Sequence, residues 1–183
     1  MTPQQLAIIK ADIEANPDLS SQPLTNLGSV AIASLYNALS ATDVWRTDAP
    51  VQAIYDAIDW SKFTPLEAAD GTVIYTNRML NIQTKQMNLQ NMLQGRSTVN
   101  ASKVNLRAGL RDAVTALPAG ASGASVAAGG ASGVLVLAAC IRKATRFEKL
   151  FATVDSTTGN NTAKLLVIEG SVSADTIQQA RES

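Results

Sequence analysis

Histidine is absent from this 183-residue chain. That removes the usual general base, the usual triad partner and the commonest zinc ligand together. Cysteine occurs once, as Cys140, so no internal disulfide can form and no thiolate metal cluster is available. Cys140 lies in an apolar run and reads as a small buried hydrophobe. Aromatic residues make up only 4% of the chain and charged residues 16%, well below the roughly 25% charge of an ordinary globular surface. A surface this poor in charge, in a chain this rich in alanine, points to faces covered by other subunits. The N-terminal MTPQQL shows no basic region leading into an apolar one, so no signal peptide is expected.

A long hydrophobic run is also missing. From Ala113 to Ile141 no residue is charged, and Gly129 and Gly133 stand four apart as in helix-pairing motifs of membranes. Yet within this stretch only Val134–Ile141 is densely apolar, far short of the roughly 20 residues a span needs. The segment PAGASGASVAAGGASG, Pro118–Gly133, is almost entirely Gly, Ala and Ser. It is no phosphate loop, because no lysine follows its last glycine and the nearest base is Arg142. A connection of this length and composition reads as a flexible arm that orders against a partner.

What charge there is falls in blocks. Residues 1–70 carry nine acids and three bases, net −6, whereas residues 71–149 carry ten bases and two acids, net +8. Two arrangements account for this: acidic and basic surfaces of successive copies meet head to tail, or the blocks neutralise each other within one chain. Acid pairs such as Asp56/Asp59 and Glu67/Asp70 fall near helix ends, where capping and solvation explain them. With no cleft indicated, a non-enzymatic protein is expected, with neither cofactor nor metal.

Helix signals dominate the first two thirds. Thr2-Pro3-Gln4-Gln5 is a capping box opening a helix with Leu6, Ile9 and Ile13 on one face, ended by Asn16-Pro17. A second helix is predicted at 28–39, packing through Val30, Ala33, Tyr36 and Ala38. A short extended piece is expected at Val44-Trp45-Arg46. Pro50 opens a third helix with Val51, Ile54, Tyr55 and Ile58, and Thr64-Pro65-Leu66-Glu67 looks like another capping box. The longest helix should span 72–94, with Tyr75, Met79, Ile82, Gln86, Leu89 and Leu93 in a heptad-like seam and Gly95 as its stop. A helix over 99–116 would turn Val99, Leu106, Leu110 and Val114 inward. Lys103, Arg107 and Arg111, spaced by four, would then form one basic ridge, facing water, a partner's acidic patch or DNA phosphates.

After the arm, a helix over 134–150 is predicted, with Arg142, Lys143, Arg146 and Lys149 near its C-terminal end. Residues 150–154 and 163–172 read as strands of a hairpin around DSTTGNNT, and Ser173 caps a last helix ending near Arg181. The expected fold class is mainly α: a helical bundle with a small C-terminal β-hairpin and a long flexible Gly/Ala/Ser-rich arm. It is read as a single domain, with a helical body at 1–116, the arm at 117–133, and a helix, hairpin and short helix at 134–183.

Several runs carry a resemblance. Asn77-Arg78, Lys85-Gln86-x-Asn88-Leu89-Gln90, Gly95-Arg96, Arg107-Ala108-Gly109-Leu110-x-Asp112-Ala113 and Ala144-Thr145-Arg146-x-Glu148-Lys149-Leu150-Phe151-Ala152 resemble small virion structural proteins of tailed bacteriophages. The resemblance implies a head–tail connector, or adaptor: a homo-oligomeric ring, commonly twelvefold, set under the portal protein. Such a ring extends the DNA channel and docks tail or neck proteins. It would be found at the head–tail junction of the virion, and in the host cytoplasm during assembly. DNA would pass through without sequence-specific binding, and no membrane is involved. A tail-completion or terminator protein and a DNA-binding packaging accessory protein are the alternatives. The residues expected to serve assembly are Lys103, Arg107 and Arg111, then Pro118, Gly123, Gly129 and Gly133 of the arm, and Leu165, Val167 and Ile168 of the hairpin.

Overall fold

The structure is a computed structural model; it describes residues 1–63, 72–115, 131–156 and 163–183. The chain begins with helices α1 (Pro3–Ala15), α2 (Pro17–Ser20) and α3 (Asn26–Asn37), followed by strands β1 (Leu39–Trp45) and β2 (Ala49–Pro50). Helix α4 (Val51–Asp56), a 3-10 turn (Trp60–Phe63), helix α5 (Thr72–Leu93), strand β3 (Thr98–Val99) and helix α6 (Val104–Val114) come next. Helix α7 (Ala131–Ala138), strand β4 (Ile141–Thr145), helix α8 (Arg146–Phe151), strands β5 (Ala152–Thr153) and β6 (Leu165–Leu166), and helix α9 (Ala174–Glu182) complete the order. The mainly α expectation with small strands therefore holds. The arm residues 117–130 and the Thr64–Glu67 box lie outside the described residues.

Two compact units are formed, and their boundaries differ from the predicted division into body, arm and C-terminal part. The first gathers residues 1–44, 142–156 and 160–183; the second holds 45–141 with 157–159. In the first unit, Ile9, Ile13, Leu19, Ile32, Tyr36, Phe147, Phe151, Val172 and Ile177 bury together. Phe147 and Phe151 meet edge to face with ring centroids 5.4 Å apart, the arrangement their quadrupoles favour. Chain ends that are far apart in sequence thus share one core.

Local signals set several boundaries as predicted. The Thr2 side chain accepts from Gln5 N–H while the Gln5 side chain accepts from Thr2 N–H, the reciprocal capping box read from sequence. Gly95 takes a φ of 73° after α5, a conformation costly for any residue with a Cβ. Ser173 caps α9 by accepting from Thr176 N–H. Of the predicted α5 seam, Ile82, Leu89 and Leu93 are buried, while Gln86 is exposed.

Three predictions need correction. The helix expected over 134–150 is helix, strand and helix instead. Residues 141–145 form β4 beside β1, and Thr145 opens α8 with its own capping box, accepting from Glu148 N–H and receiving the Glu148 carboxylate on its own N–H. The helix expected from Val99 starts at Val104. Val99 pairs with Ala49 across an antiparallel ladder, and the Asn100 side chain accepts from Ser102 N–H at 3.0 Å, turning the chain before α6. The hairpin is real but short: β5 and β6 pair antiparallel through Ala152 with Leu166 and Thr153 with Leu165, and residues 167–172 are not strand.

Candidate functional site

Of the residues expected to serve assembly, the basic ridge is overturned first. Arg107 is 1% exposed. Its Nη1 donates to the carbonyls of Ala101 at 2.7 Å and Ser102 at 2.9 Å, and its guanidinium lies 4.3 Å from the Trp45 ring centroid. Planar guanidinium on an indole face is a packing contact as much as an electrostatic one, and it takes Arg107 away from any surface role. Lys103 and Arg111 are exposed, but Lys103 is the residue preceding α6, so no continuous ridge exists. Pro118, Gly123 and Gly129 lie outside the described residues.

Gly133 belongs to α7 rather than to an arm. It is buried, and a Cβ there would come within 2.6 Å of the Thr115 methyl, so only glycine lets the start of α7 approach the end of α6. In the hairpin, Leu165 is half-buried and Ile168 packs against the core of the first unit. Val167 is 65% exposed.

The charge blocks of the sequence largely disappear on folding. Sorted by unit, the charges come to nine acids and seven bases in the first and six acids and eight bases in the second, net −2 and +2. Neutralisation within one chain is visible in the first unit. Arg146 pairs with Asp18, and Lys143 with Asp43 at 2.9 Å, joining the acidic N-terminal block to the basic segment of β4 and α8. The Arg146 guanidinium hydrogen-bonded to Asp18 holds that carboxyl below its ordinary range, and the same bond raises Arg146. Beside them the Tyr36 hydroxyl donates to Asp12 Oδ2 at 2.8 Å, and burial, reinforced by that carboxylate, pushes the phenol far above its usual value.

A second cluster is built on Glu148. Arg142 grips its carboxylate with two bonds of 2.7 Å, and the backbone N–H groups of Thr145 and Gly170 donate to it at 2.9 and 3.0 Å. Burial pushes this carboxyl upward, but the donors outweigh it and hold the pKa down at about 2. Arg142 also reaches Glu169 at 3.0 Å and is raised, chiefly by its bond to Glu148. These groups knit α8 to β4 and to the chain after β6; every strong donor is already matched to an acceptor inside the cluster.

The feature left uncovered is apolar. Helix α3 packs one side, through Ile32, Ala33 and Tyr36, into the core. Its other side shows Leu27 at 77% exposure and Val30 at 50%, with Leu24 just before the helix at 88% and Leu39 just after it at 74%. Val30 and Ala38, predicted to pack, are exposed. No residue from Leu19 to Thr42 is charged, so nothing on this face compensates for its contact with water. At the C-terminal end of α3 a groove of about 760 Å3 is lined by apolar Leu35, Ala38, Leu39 and Leu150 and by charged Asp12, Asp18, Arg146 and Lys149. At its N-terminal end a hollow of about 380 Å3 lies among Leu24, Thr25, Asn26, Ser29, Gln178, Arg181 and Glu182. Sequence reasoning passed over this face, although the charge-free stretch marked it.

Among the described residues no group of three or more His, Cys, Asp or Glu side chains could hold a metal ion, and no helix is long and apolar enough to cross a membrane. Comparison with protein-family models, with curated proteins and with solved structures gives no match. The reading of function rests on the residues themselves.

Proposed function

We propose that this protein is a structural, non-enzymatic subunit of a tailed-phage virion, a head–tail connector that forms a ring between the portal and the tail. The observation that carries this reading is the α3 face: Leu24, Leu27, Val30 and Leu39 are exposed on a stretch without charge. A chain that works alone does better with such a face solvated by charge, whereas a subunit keeps it for a neighbour. The phage-like runs at 77–96, 107–113 and 144–152 supply the virion context. The low overall charge supports covered surfaces as well.

The burial of Arg107 weighs against the DNA-binding accessory alternative, because it removes the centre of the only basic ridge the sequence offered. Neutral units, at −2 and +2, lack the basic excess that phosphate-backbone binding draws on. A tail-completion or terminator protein would use the same kind of apolar face and differs in its neighbour.

Electron microscopy of the purified chain, alone and mixed with portal and tail proteins of a phage that encodes it, tests the proposal. Rings that bind portal are expected. A chain that stays monomeric in every mixture and is absent from virions overturns it. Tight duplex-DNA binding that falls steeply with salt would replace it by the packaging-accessory reading.

A further inference from the structure

We infer that the α3 face is self-complementary and that two copies of the free chain pair through it about a two-fold axis, with their α3 helices antiparallel. This rests on α3 being an assembly surface, as proposed above, and adds what covers it.

The first argument is charge. A two-fold contact sets each surface against itself, so a net charge at its centre would repel its own copy. The centre of this face, around Val30, has no charge to repel, since none occurs from Leu19 to Thr42. The charges sit at the ends, with both signs at each: Asp12, Asp18, Arg146 and Lys149 border the groove, and Arg181 and Glu182 the hollow. Arg146 pairs with Asp18 and Arg181 donates to Ser29 and to the Gln22 carbonyl, so Lys149 and Glu182 are the opposite charges that antiparallel pairing would bring together. Lys149 borders the groove at the C-terminal end of α3 and has no ion pair among the described residues. Glu182 borders the hollow at the N-terminal end, where its carboxylate accepts a 2.9 Å hydrogen bond from Gln178. Antiparallel helices place the N-terminal end of one copy beside the C-terminal end of the other. Lys149 of each copy then faces Glu182 of its mate, twice per pair.

The second argument is shape. Two strongly exposed leucines, Leu24 and Leu39, stand at opposite ends of the face, each beside a concavity. In the antiparallel arrangement Leu24 of one copy enters the groove walled by Leu35 and Leu150 of the other, and Leu39 enters the hollow by Ser29. Knobs at both ends thus meet hollows at both ends, and the two helix dipoles oppose. Parallel pairing would set Leu24 against Leu24 and Lys149 against Lys149.

The test is the mass of the full chain in dilute solution, measured by sedimentation across concentration, for wild type and exposed-face variants. A dimer is expected, with its dissociation constant raised about 100-fold or more in Leu27→Asp, which places a carboxylate at the contact. Lys149→Glu and Glu182→Lys alone should each weaken the pair about 3- to 10-fold, and the double swap should restore it to within about twofold. Circular dichroism confirms that each variant is folded. A wild-type monomer up to about 1 mM, or a dimer indifferent to Leu27→Asp, overturns the inference. So does a double swap no better than the single ones. A two-fold pair closes on itself, so rings with portal are scored separately: rings built from a wild-type chain that is monomeric when free sink this inference and leave the connector reading standing, whereas a Leu27-dependent dimer that forms no ring in any mixture sinks the connector reading and leaves this inference standing.

Discussion

The guanidinium of Arg107 sits over the Trp45 ring at 4.3 Å while its Nη1 closes two backbone carbonyls. A cation in that position holds the turn before α6 rather than a ligand. Arg107→Ala should destabilise the fold by about 2–4 kcal/mol, through lost packing and carbonyls left without a donor. Arg107→Lys should recover little, because an ammonium cannot stack on the indole in the same way. Lys103→Ala and Arg111→Ala, on exposed side chains, should stay within about 0.5 kcal/mol. Urea unfolding of the four variants checks this; equal effects at the three positions would restore the surface ridge.

Gly28 is the place where a usually favourable change reverses sign. Gly to Ala inside a helix ordinarily gains about 0.5–1 kcal/mol. Here a Cβ would stand 2.0 Å from the Pro23 carbonyl oxygen, which already accepts from Thr25 N–H at 2.8 Å. Gly28→Ala should therefore cost about 1–3 kcal/mol. Thermal melting decides it, and a raised midpoint would show that Pro23 moves aside freely.

Glu148 gives the first unit an acid limit. Its carboxyl is lowered from 4.5 to about 2, so the folded state binds its proton less readily than the unfolded chain. The stabilisation is complete above pH 4.5 and is lost as the pH falls toward about 2. Glu148→Gln should cost about 1–3 kcal/mol at neutral pH and flatten the acid limb of the stability–pH curve. An unchanged limb in the variant would assign the acid sensitivity to other carboxylates.

Burial pushes the Cys140 thiol up to about 11, against the weaker pull of Arg107 and Arg46, and the residue is 0% exposed. A thiol reagent at pH 8 should leave it untouched in the native chain and label it fully in denaturant. Labelling of native protein within minutes would mean that the segment around it opens readily.

These residues also show what a sequence can disclose. The caps at Thr2, Gly95 and Ser173 were legible because each is decided within four residues. The Thr145–Glu148 box was equally local, but it lay inside a run whose apolar and basic residues also suit one long helix. What broke that helix was pairing of β4 with β1, about a hundred residues earlier in the chain, which no local window contains. The spacing of Lys103, Arg107 and Arg111 was read correctly, yet spacing does not say that Trp45 waits for the middle one. For α3 the difficulty was an excess of apolar positions. With Val30 and Leu27 on one side and Ile32 and Tyr36 on the other, pattern could not decide which side meets the core.

The shared core of the first unit bears on how the chain is made. Ile9 and Ile32 emerge from the ribosome early, and the side chains that cover them, Phe147 and Ile177, come much later. Closing so long a loop is slow, since its entropy must be overcome before any contact rewards it. For most of translation the apolar helices α1 and α3 are exposed nascent chain, and nearly all of the second unit, residues 45–141, is made before the first can finish. Folding order should thus run against chain order, with the earliest helices last to reach their final packing.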